Sequence, residues 1–317
     1  MSRMLKIISW LCWCLLSFCL TMALLIAVPQ WRQLQQRGHF AEHDPRPAKQ
    51  IGGLTQQQYQ RLAQINFTSG HSAIYQVHGG KSTLNPKSWQ RDQVLYQKMD
   101  SLGRTSSSTV AMLNWHNHAN TALRIQQQTD PSGWHDNRNQ RMVYNRGHLI
   151  AYSLTGGIDP QTGQYNGRQA RGDQDNPRNL FTETDFTNQV LQTIYEAKVR
   201  HAIEGHQRVI YQATPIFRGN ERMARGINLQ AISTDGSLNF NVYLLNVEPG
   251  TTFDYSDGSS WPDDHVSVLV PLDSEDQDDQ GEGQDNTIKV TGAYRWPAAN
   301  QPRTYVRVAP ATPAKGQ

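Results

Sequence analysis

The longest apolar run in the chain extends from Ile7 to Val28 and contains no charged residue. Its 22 residues are enough to cross a hydrocarbon core about 30 Å thick as an α-helix. Arg3 and Lys6 precede the run, and positive charge on that side favours a cytoplasmic N-terminus. We therefore predict a cytoplasmic segment at residues 1–6, a transmembrane anchor at 7–28 and an exported remainder.

A cleaved signal peptide is the alternative for this segment. The apolar core of such a peptide usually spans about 7–15 residues and ends in small residues at the cleavage site. The run here is longer, and Leu25–Pro29 makes a poor cleavage site. Cys12, Cys14 and Cys19 are the three cysteines of the chain, and all lie within the run, so the exported part forms no disulfide. Both interpretations place the bulk of the chain outside the cytoplasm.

The pattern after the apolar run predicts a linker and one large domain. Residues 29–50 are rich in Gln, Arg, His and Pro and have no sustained apolar period, which is typical of a linker. Residues 51–270 carry short apolar stretches between turn-forming residues, and these predict strands and loops. Strands are predicted at Ala73–Val77, Val110–Trp115 and Arg141–Asn145, and a short helix at 54–64.

One later segment has clear helical periodicity. It predicts a helix that is capped by Asp185 or Thr187 and ends near Glu204. The apolar residues with the spacing of one buried helix face are Leu191, Ile194, Tyr195, Val199 and Ala202.

Four polar residues recur every four positions along this predicted helix: Asn188, Gln192, Glu196 and Arg200. In an α-helix each step of four drifts by about 40°, so the four residues form one slowly turning stripe. Taken alone, the stripe is typical of a solvated face on which Glu196 and Arg200 form an ordinary ion pair.

Candidate chemistry lies at Tyr144–Ile150, where His148 follows a strand pattern beside Arg146 and Gly147. An imidazole titrates near pH 6.5, so it can accept a proton at neutral pH. By itself this motif defines a base and no function.

A second pair of histidines, His116 and His118, follows the predicted strand Val110–Trp115. Two histidines in this spacing share one face of a strand, as in some metal sites. Because no acid or third histidine stands at a suitable spacing, we favour exposed loop histidines over a metal site.

The formal charge of +3 conceals an uneven distribution. Residues 273–285 hold seven acids and no base, and without them the chain stands at about +10. A basic excess of this kind suits a polyanionic partner, although it is equally typical of ordinary solubility. We assign 271–286 to an acidic low-complexity insert, and 287–317 to a strand-like segment with a loose tail.

Several motifs stand in a fixed order between residues 100 and 250, the best-matched part of the domain. They are Asp100–Arg104, Ser132–Trp134, Arg146–Leu149, Asn176–Asn179, Thr187–Gln189, Tyr195–Arg200 and Asn239–Val242. In this order and spacing the chain resembles the DNA/RNA non-specific endonucleases of the ββα-metal (His-Me finger) superfamily, and in particular the membrane-anchored DNA-entry nucleases of Gram-positive bacteria. The resemblance implies an α+β fold with a mostly antiparallel central sheet that carries the ββα unit at one edge.

The resemblance also implies roles for His148 and for the residues of the helix stripe. His148 would be the general base, and Asn188 would bind a single Mg²⁺ ion, with Mn²⁺ as a substitute. Glu196 would orient a metal-bound water, and Arg200 would stabilise charge in the transition state. The residues assigned to substrate binding are Arg104, Arg146, Arg178, Asn179 and Gln192.

The implied activity is hydrolysis of DNA, with RNA as a further substrate, outside the membrane that holds the anchor. A surface DNA receptor without cleavage, a secreted nuclease released by signal cleavage and a structural surface protein are the alternatives. Asn145 departs from the family, which more often has Asp there, and this exchange could change the tuning of His148.

Overall fold

The computed structural model describes residues 51–137, 142–167, 170–271 and 287–290. The predicted cytoplasmic segment, anchor and linker lie outside these residues, as do most of the acidic insert and the tail. Within the described ranges, no helix is long and apolar enough to cross a membrane.

The strands found in the described residues are β1 (His71–Ser72), β2 (Ile74–Gln76), β3 (Gln93–Leu95), β4 (Thr109–Leu113), β5 (Tyr144–His148), β6 (Leu180–Thr184), β7 (Val209–Ile216), β8 (Gly226–Ser233), β9 (Asn239–Leu245), β10 (Thr251–Phe253), β11 (Ser260–Pro262), β12 (Val268–Pro271) and β13 (Thr287–Val290). Six of them form one sheet in the order β2-β9-β8-β7-β4-β3, and every neighbouring pair is antiparallel. The described residues also include two α-helices, α1 (Gln56–Ala63) and α2 (Thr193–Glu204).

The two central strands of the sheet are buried along their whole length. In β7, alternate residues serve opposite faces: Val209 and Tyr211 enter the main core, while Ile210 enters a smaller apolar cluster. Both helices contribute to the main core, and α2 packs against β7 and β8. Burial on both faces explains why one face of these strands is apolar and why the polar residues on the other face, such as Gln212 and Gln230, are themselves buried.

Two buried glutamines attach the start of the domain to this sheet. The Gln212 side-chain oxygen accepts hydrogen bonds from the Leu54 backbone N–H and from the Gln230 side chain, each at 3.0 Å. The Gln230 oxygen in turn accepts from the Thr83 backbone N–H at 2.9 Å. Buried amides with satisfied partners of this kind hold loops in a single arrangement.

The ββα unit is formed by β5, β6 and the helical segment that follows them. In the antiparallel pair, His148 stands opposite Leu180 and Asn145 opposite Glu183. This pair is a separate two-stranded sheet in the described structure, so the expected position at the edge of the central sheet was wrong. Between β6 and α2 the chain forms one wide turn of π-helix, Thr187–Gln192.

The predicted helix ends where expected but starts differently. The Thr184 hydroxyl accepts the Thr187 N–H at 3.1 Å, so Thr184 supplies the cap that was expected from Asp185 or Thr187. Asp185 uses its carboxylate elsewhere and accepts a hydrogen bond from Asn145. At the other end, Glu204 is the last helical residue.

Candidate active site

His148 is the last residue of β5, and its half-buried imidazole is held by the backbone of Gln174 and Asp173. Its Nε2 lies 3.0 Å from the carbonyl oxygen of Gln174, which can only accept a hydrogen bond. The proton of the neutral ring is therefore assigned to Nε2, and Nδ1 keeps its lone pair. Burial lowers the pKa of His148 to about 4, against the opposing effect of the Gln174 hydrogen bond. The ring is thus a neutral base at physiological pH.

Asn179 fixes the backbone immediately after His148. Its side-chain oxygen accepts the Ile150 N–H at 2.9 Å, and its side-chain nitrogen donates to the Ile150 carbonyl at 3.0 Å. The Asn179 carbonyl also accepts the N–H of Leu149 at 2.9 Å. The amide is fully buried, so Asn179 holds the backbone after His148 and its side chain is not exposed to the substrate it was expected to bind.

Gln192 connects the base to the helix stripe. Its buried side-chain nitrogen donates to the His148 carbonyl at 2.8 Å and to the Glu196 carboxylate at 2.9 Å. Gln192 therefore orients two neighbouring groups, and its nitrogen is not available to a nucleic acid.

Glu196 and Arg200 form the second half of the stripe. Burial raises the pKa of Glu196, while the Gln192 hydrogen bond and the charges of Arg200 and Arg124 oppose that rise. Arg200 Nη1 lies 3.8 Å from Glu196 Oε2 and donates to the Ser153 hydroxyl at 3.3 Å. Its side chain remains 29% exposed, which leaves the guanidinium accessible to a phosphate.

Asn188 lies in the π-helical turn and is half-buried. Among the described residues its side-chain amide has no hydrogen-bond partner, in contrast to Gln192 one turn later. A half-buried amide oxygen that no protein group uses is a suitable ligand for a hard cation such as Mg²⁺, which keeps several waters and needs few protein oxygens. The residues present therefore fit the metal that the family resemblance implies.

Arg124 also belongs to this site, although the sequence did not single it out. Its guanidinium carbon lies 4.2 Å from the centroid of the Tyr152 ring. Burial is the largest cause of the lowered pKa of His148, and the positive charge of Arg124 lowers that pKa further. The same charge opposes the rise that burial causes in the pKa of Glu196. A lone arginine in a loop carries no signal of this proximity, which only the folded chain reveals.

Three arginines that were assigned to substrate binding are engaged by the protein itself. Arg146 binds the Asp130 carboxylate at 2.6 Å and lies over the Trp134 ring. Arg178 donates to the Pro160 and Gln161 carbonyls at 2.6 and 2.9 Å.

Arg104 is held in a similar way. It pairs with Asp100 at 2.7 Å and donates to the Gly219 and Glu221 carbonyls at 2.8 Å. These contacts give all three arginines a role in shaping loops.

The acid missing at position 145 is present across the strand pair. Asn145 donates to the Asp185 carboxylate at 2.7 Å, so the exchange of an acid for an amide is accompanied by a carboxylate on the partner segment. Burial raises the pKa of Asp185, and the hydrogen bond from Asn145 opposes this.

Glu183 is the most unusual group near the motif. It is fully buried, and within the described structure neither carboxyl oxygen has a hydrogen-bond partner. Its side chain occupies the space that a Cβ at position 147 would need, which explains the glycine between Arg146 and His148. Burial raises the pKa of Glu183 well above its usual range, and the charges of Glu196 and Asp185 add to that effect.

Replacing Glu183 with glutamine is expected to raise the free energy of unfolding at neutral pH. An acid with a raised folded-state pKa stabilises the fold fully below its unfolded pKa, and this contribution is lost as pH rises through the folded pKa. The wild type should therefore lose stability relative to Glu183→Gln as pH rises above about 4.5. The difference at neutral pH should be on the order of 1–3 kcal/mol, measured by urea unfolding. The exposed Asp264→Asn is the matched control, and identical pH profiles for Glu183→Gln and the wild type would contradict the expectation.

The fold and the site together define a class of enzyme. A strand pair that presents a neutral imidazole to a helix bearing an amide, a carboxylate and a guanidinium is the arrangement of a ββα-type nuclease. Residues 58–276 match the family of DNA/RNA non-specific endonucleases. The chain belongs to that family and is a non-specific endonuclease.

Solved structures of a streptococcal nuclease show the same fold. NucA from Streptococcus agalactiae with a magnesium ion bound has 26% sequence identity and a TM-score of 0.54, and the match covers 67% of this chain and 99% of that chain. NucA with no metal bound has 27% identity and a TM-score of 0.52, and the match covers 66% and 98% of the two chains. The domain described here therefore corresponds to nearly the full length of that nuclease.

Proposed function

We propose that this chain is a membrane-anchored, Mg²⁺-dependent endonuclease that acts outside the cytoplasm. It hydrolyses phosphodiester bonds of DNA, with RNA as a further substrate, and leaves 5′-phosphates. The observation that carries the proposal is the contact between His148 Nε2 and the Gln174 carbonyl. Because that contact takes the ring proton, Nδ1 is ready to remove a proton from an attacking water.

The remaining residues orient the reacting groups and compensate charge. Gln192 holds the His148 backbone and the Glu196 carboxylate in fixed relation. Asn188 would hold the cation through its amide oxygen, with Glu196 accepting from a water bound to it. When bound, Mg²⁺ supplies positive charge that stabilises the phosphate oxygens and the leaving oxygen.

Two cationic side chains complete the site. Arg200 would stabilise the negative charge that develops on the phosphate in the transition state, since its guanidinium is accessible beside Glu196. Arg124, which sequence reasoning missed, would bind a phosphate beside His148 and Glu196, since its charge acts on both groups. Contacts to phosphate instead of base edges are consistent with cleavage that ignores sequence.

The proposed location rests on the N-terminal apolar run. A span of 22 apolar residues after Arg3 and Lys6 suits an anchor with the catalytic domain on the exported side. Uptake of DNA, with a partner in the uptake machinery, or degradation of external nucleic acid would both use this arrangement. N-terminal sequencing of the mature protein distinguishes the anchor from a cleaved signal.

The activity is tested by nicking of supercoiled plasmid with Mg²⁺ and then with EDTA. We expect open-circular and linear products with Mg²⁺, no products after chelation, and recovery when Mg²⁺ or Mn²⁺ is added back. A surface DNA receptor would retard the plasmid on a gel without cutting it under any of these conditions. That result, in the presence of Mg²⁺, would overturn the proposed function.

A further inference from the structure

Four rings form a continuous row on the surface outside the catalytic cluster. The Tyr165 and His116 rings are stacked at 5.7 Å with planes 25° apart, and His116 contacts Trp115 at 4.0 Å. The Trp115 ring then meets the edge of His206 at 5.8 Å. Three separate segments of the chain supply these rings, and we call the row Tyr165–His116–Trp115–His206 the stacking platform.

The platform is exposed although its central member is a large apolar ring. Trp115 is 52% exposed, and the His116 side chain is 40% exposed. The Asp92 carboxylate lies 3.3 Å from His116 Nδ1 and is itself buried, so it holds this imidazole in place from the protein side. A held, exposed row of rings offers flat faces to a ligand.

His206 reaches the platform through an uncommon backbone conformation. It follows the end of α2 at Gly205 and has a φ of 61°, in the left-handed region that glycine adopts at lower cost. A helix end alone would be served better by glycine at this position. The histidine instead brings its ring against Trp115, which favours a role for the side chain.

Hydrogen bonds connect the segment that follows Trp115 to the catalytic cluster. Ala119, four residues after Trp115, donates its N–H to the Ser153 carbonyl at 3.1 Å. The Ser153 hydroxyl is the group that accepts from Arg200. His206 also stands only six residues after Arg200, just past the end of α2, so the same helix connects the catalytic cluster to the platform.

Positive charge accompanies the rings. Arg208 stands two residues after His206 in the sequence and is exposed. Its guanidinium carbon lies 4.8 Å from the centroid of the Trp89 ring. His118, two residues after His116 in the sequence, has its Nε2 3.5 Å from the Glu204 carboxylate. Rings for bases with a nearby guanidinium for phosphates are the combination found on proteins that bind single strands.

We propose that the stacking platform binds unpaired bases of the substrate strand that extends from the catalytic cluster. The inference rests on the proposed nuclease function and specifies its substrate as a strand with accessible base faces. In a duplex these faces are covered by neighbouring base pairs, whereas in a single strand they are available for stacking. Stacking accepts every base, so the platform adds grip without sequence preference.

The test measures binding without cleavage, in protein that carries His148→Ala. A fluorescein-labelled oligothymidine of about 20 nucleotides and a blunt duplex of the same length are titrated by anisotropy with Mg²⁺. Adding Trp115→Ala should weaken single-strand binding at least about five-fold, while duplex binding changes much less. Trp115→Phe should keep most of the single-strand affinity, because a ring remains.

Trp261→Ala is the matched control, since Trp261 is 49% exposed on β11 and is not one of the four rings of the platform. Unchanged single-strand affinity in Trp115→Ala, or equal losses for the single strand and the duplex, would overturn the inference. Cleavage of thymidine 5′-(p-nitrophenyl phosphate), which is too short to reach the platform, should be unaffected by Trp115→Ala on the otherwise wild-type background. If the wild type cleaves neither this ester nor plasmid DNA, the proposed function fails; if it cleaves plasmid DNA and Trp115→Ala binds the single strand normally, only the platform fails.

Discussion

Replacing His148 with alanine is expected to lower the rate of DNA cleavage by about 100-fold to 10,000-fold, the usual contribution of a general base. DNA binding should survive, because the cationic groups Arg124 and Arg200 remain in place. The measurement is a plasmid-nicking time course with a parallel gel-shift titration. Retention of even about a tenth of the wild-type rate would remove His148 from the role of base.

The pH dependence provides an independent check on the same residue. A base must be unprotonated to act, so activity falls as pH drops through its pKa. Because burial lowers the pKa of His148 from 6.5 to about 4, the acid-side fall in kcat/KM should come near pH 4. His71→Ala is the control for loss of a histidine as such, since His71 is exposed on β1. An acid limb near pH 6.5 would contradict a lowered pKa for His148.

Replacing Asn188 with alanine is expected to be nearly as damaging, but for a different reason. Removing the amide oxygen removes the protein ligand of the cation, so most activity at low Mg²⁺ should be lost and raised Mg²⁺ should restore part of it. A Mg²⁺ titration of the cleavage rate measures both effects. His148→Ala should show no such recovery, which separates a ligand from a base.

The neighbouring Gln189 supplies the control for this substitution. It lies in the same π-helical turn, its side chain is exposed, and its backbone carbonyl accepts a hydrogen bond from the Thr193 hydroxyl. Gln189→Ala should therefore leave the Mg²⁺ dependence unchanged. If Asn188→Ala has the same Mg²⁺ dependence as the wild type, Asn188 is not the ligand.

The parts of the fold that follow from periodicity were predicted well. The helix ending at Glu204 and the strands around positions 74 and 110 are present. The family was also identified correctly, because the order and spacing of several short motifs together are far more specific than any one of them.

The individual roles of arginines could not be predicted in this way. Arg146 and Arg178 are cations near a motif in the sequence, yet their partners are Asp130 and backbone carbonyls that only the folded loops bring close. Arg124 is the converse case, because it lies in a loop and reaches His148 and Glu196 only after folding.

Glu183 escaped notice because its pattern is that of an ordinary strand position. An acid opposite Asn145 in a two-stranded pair would normally face water. Its burial depends on packing from both sides of the ββα unit, which no local pattern records.

The π-helical turn Thr187–Gln192 changes the direction in which Asn188 points relative to the rest of the helix. In a regular α-helix two steps of four residues would separate Asn188 from Glu196 by about 80° around the axis. A π-helical turn needs more residues per revolution, because its hydrogen bonds span five residues instead of four. The step from Asn188 to Gln192 therefore covers less than a full turn. The step from Gln192 to Glu196, in regular α-helix, covers slightly more than a full turn, and the two deviations cancel. The wider turn therefore brings Asn188 and Glu196 to nearly the same side of the helix. In a regular α-helix the Asn188 amide would instead be rotated away from the Glu196 carboxylate by most of a right angle.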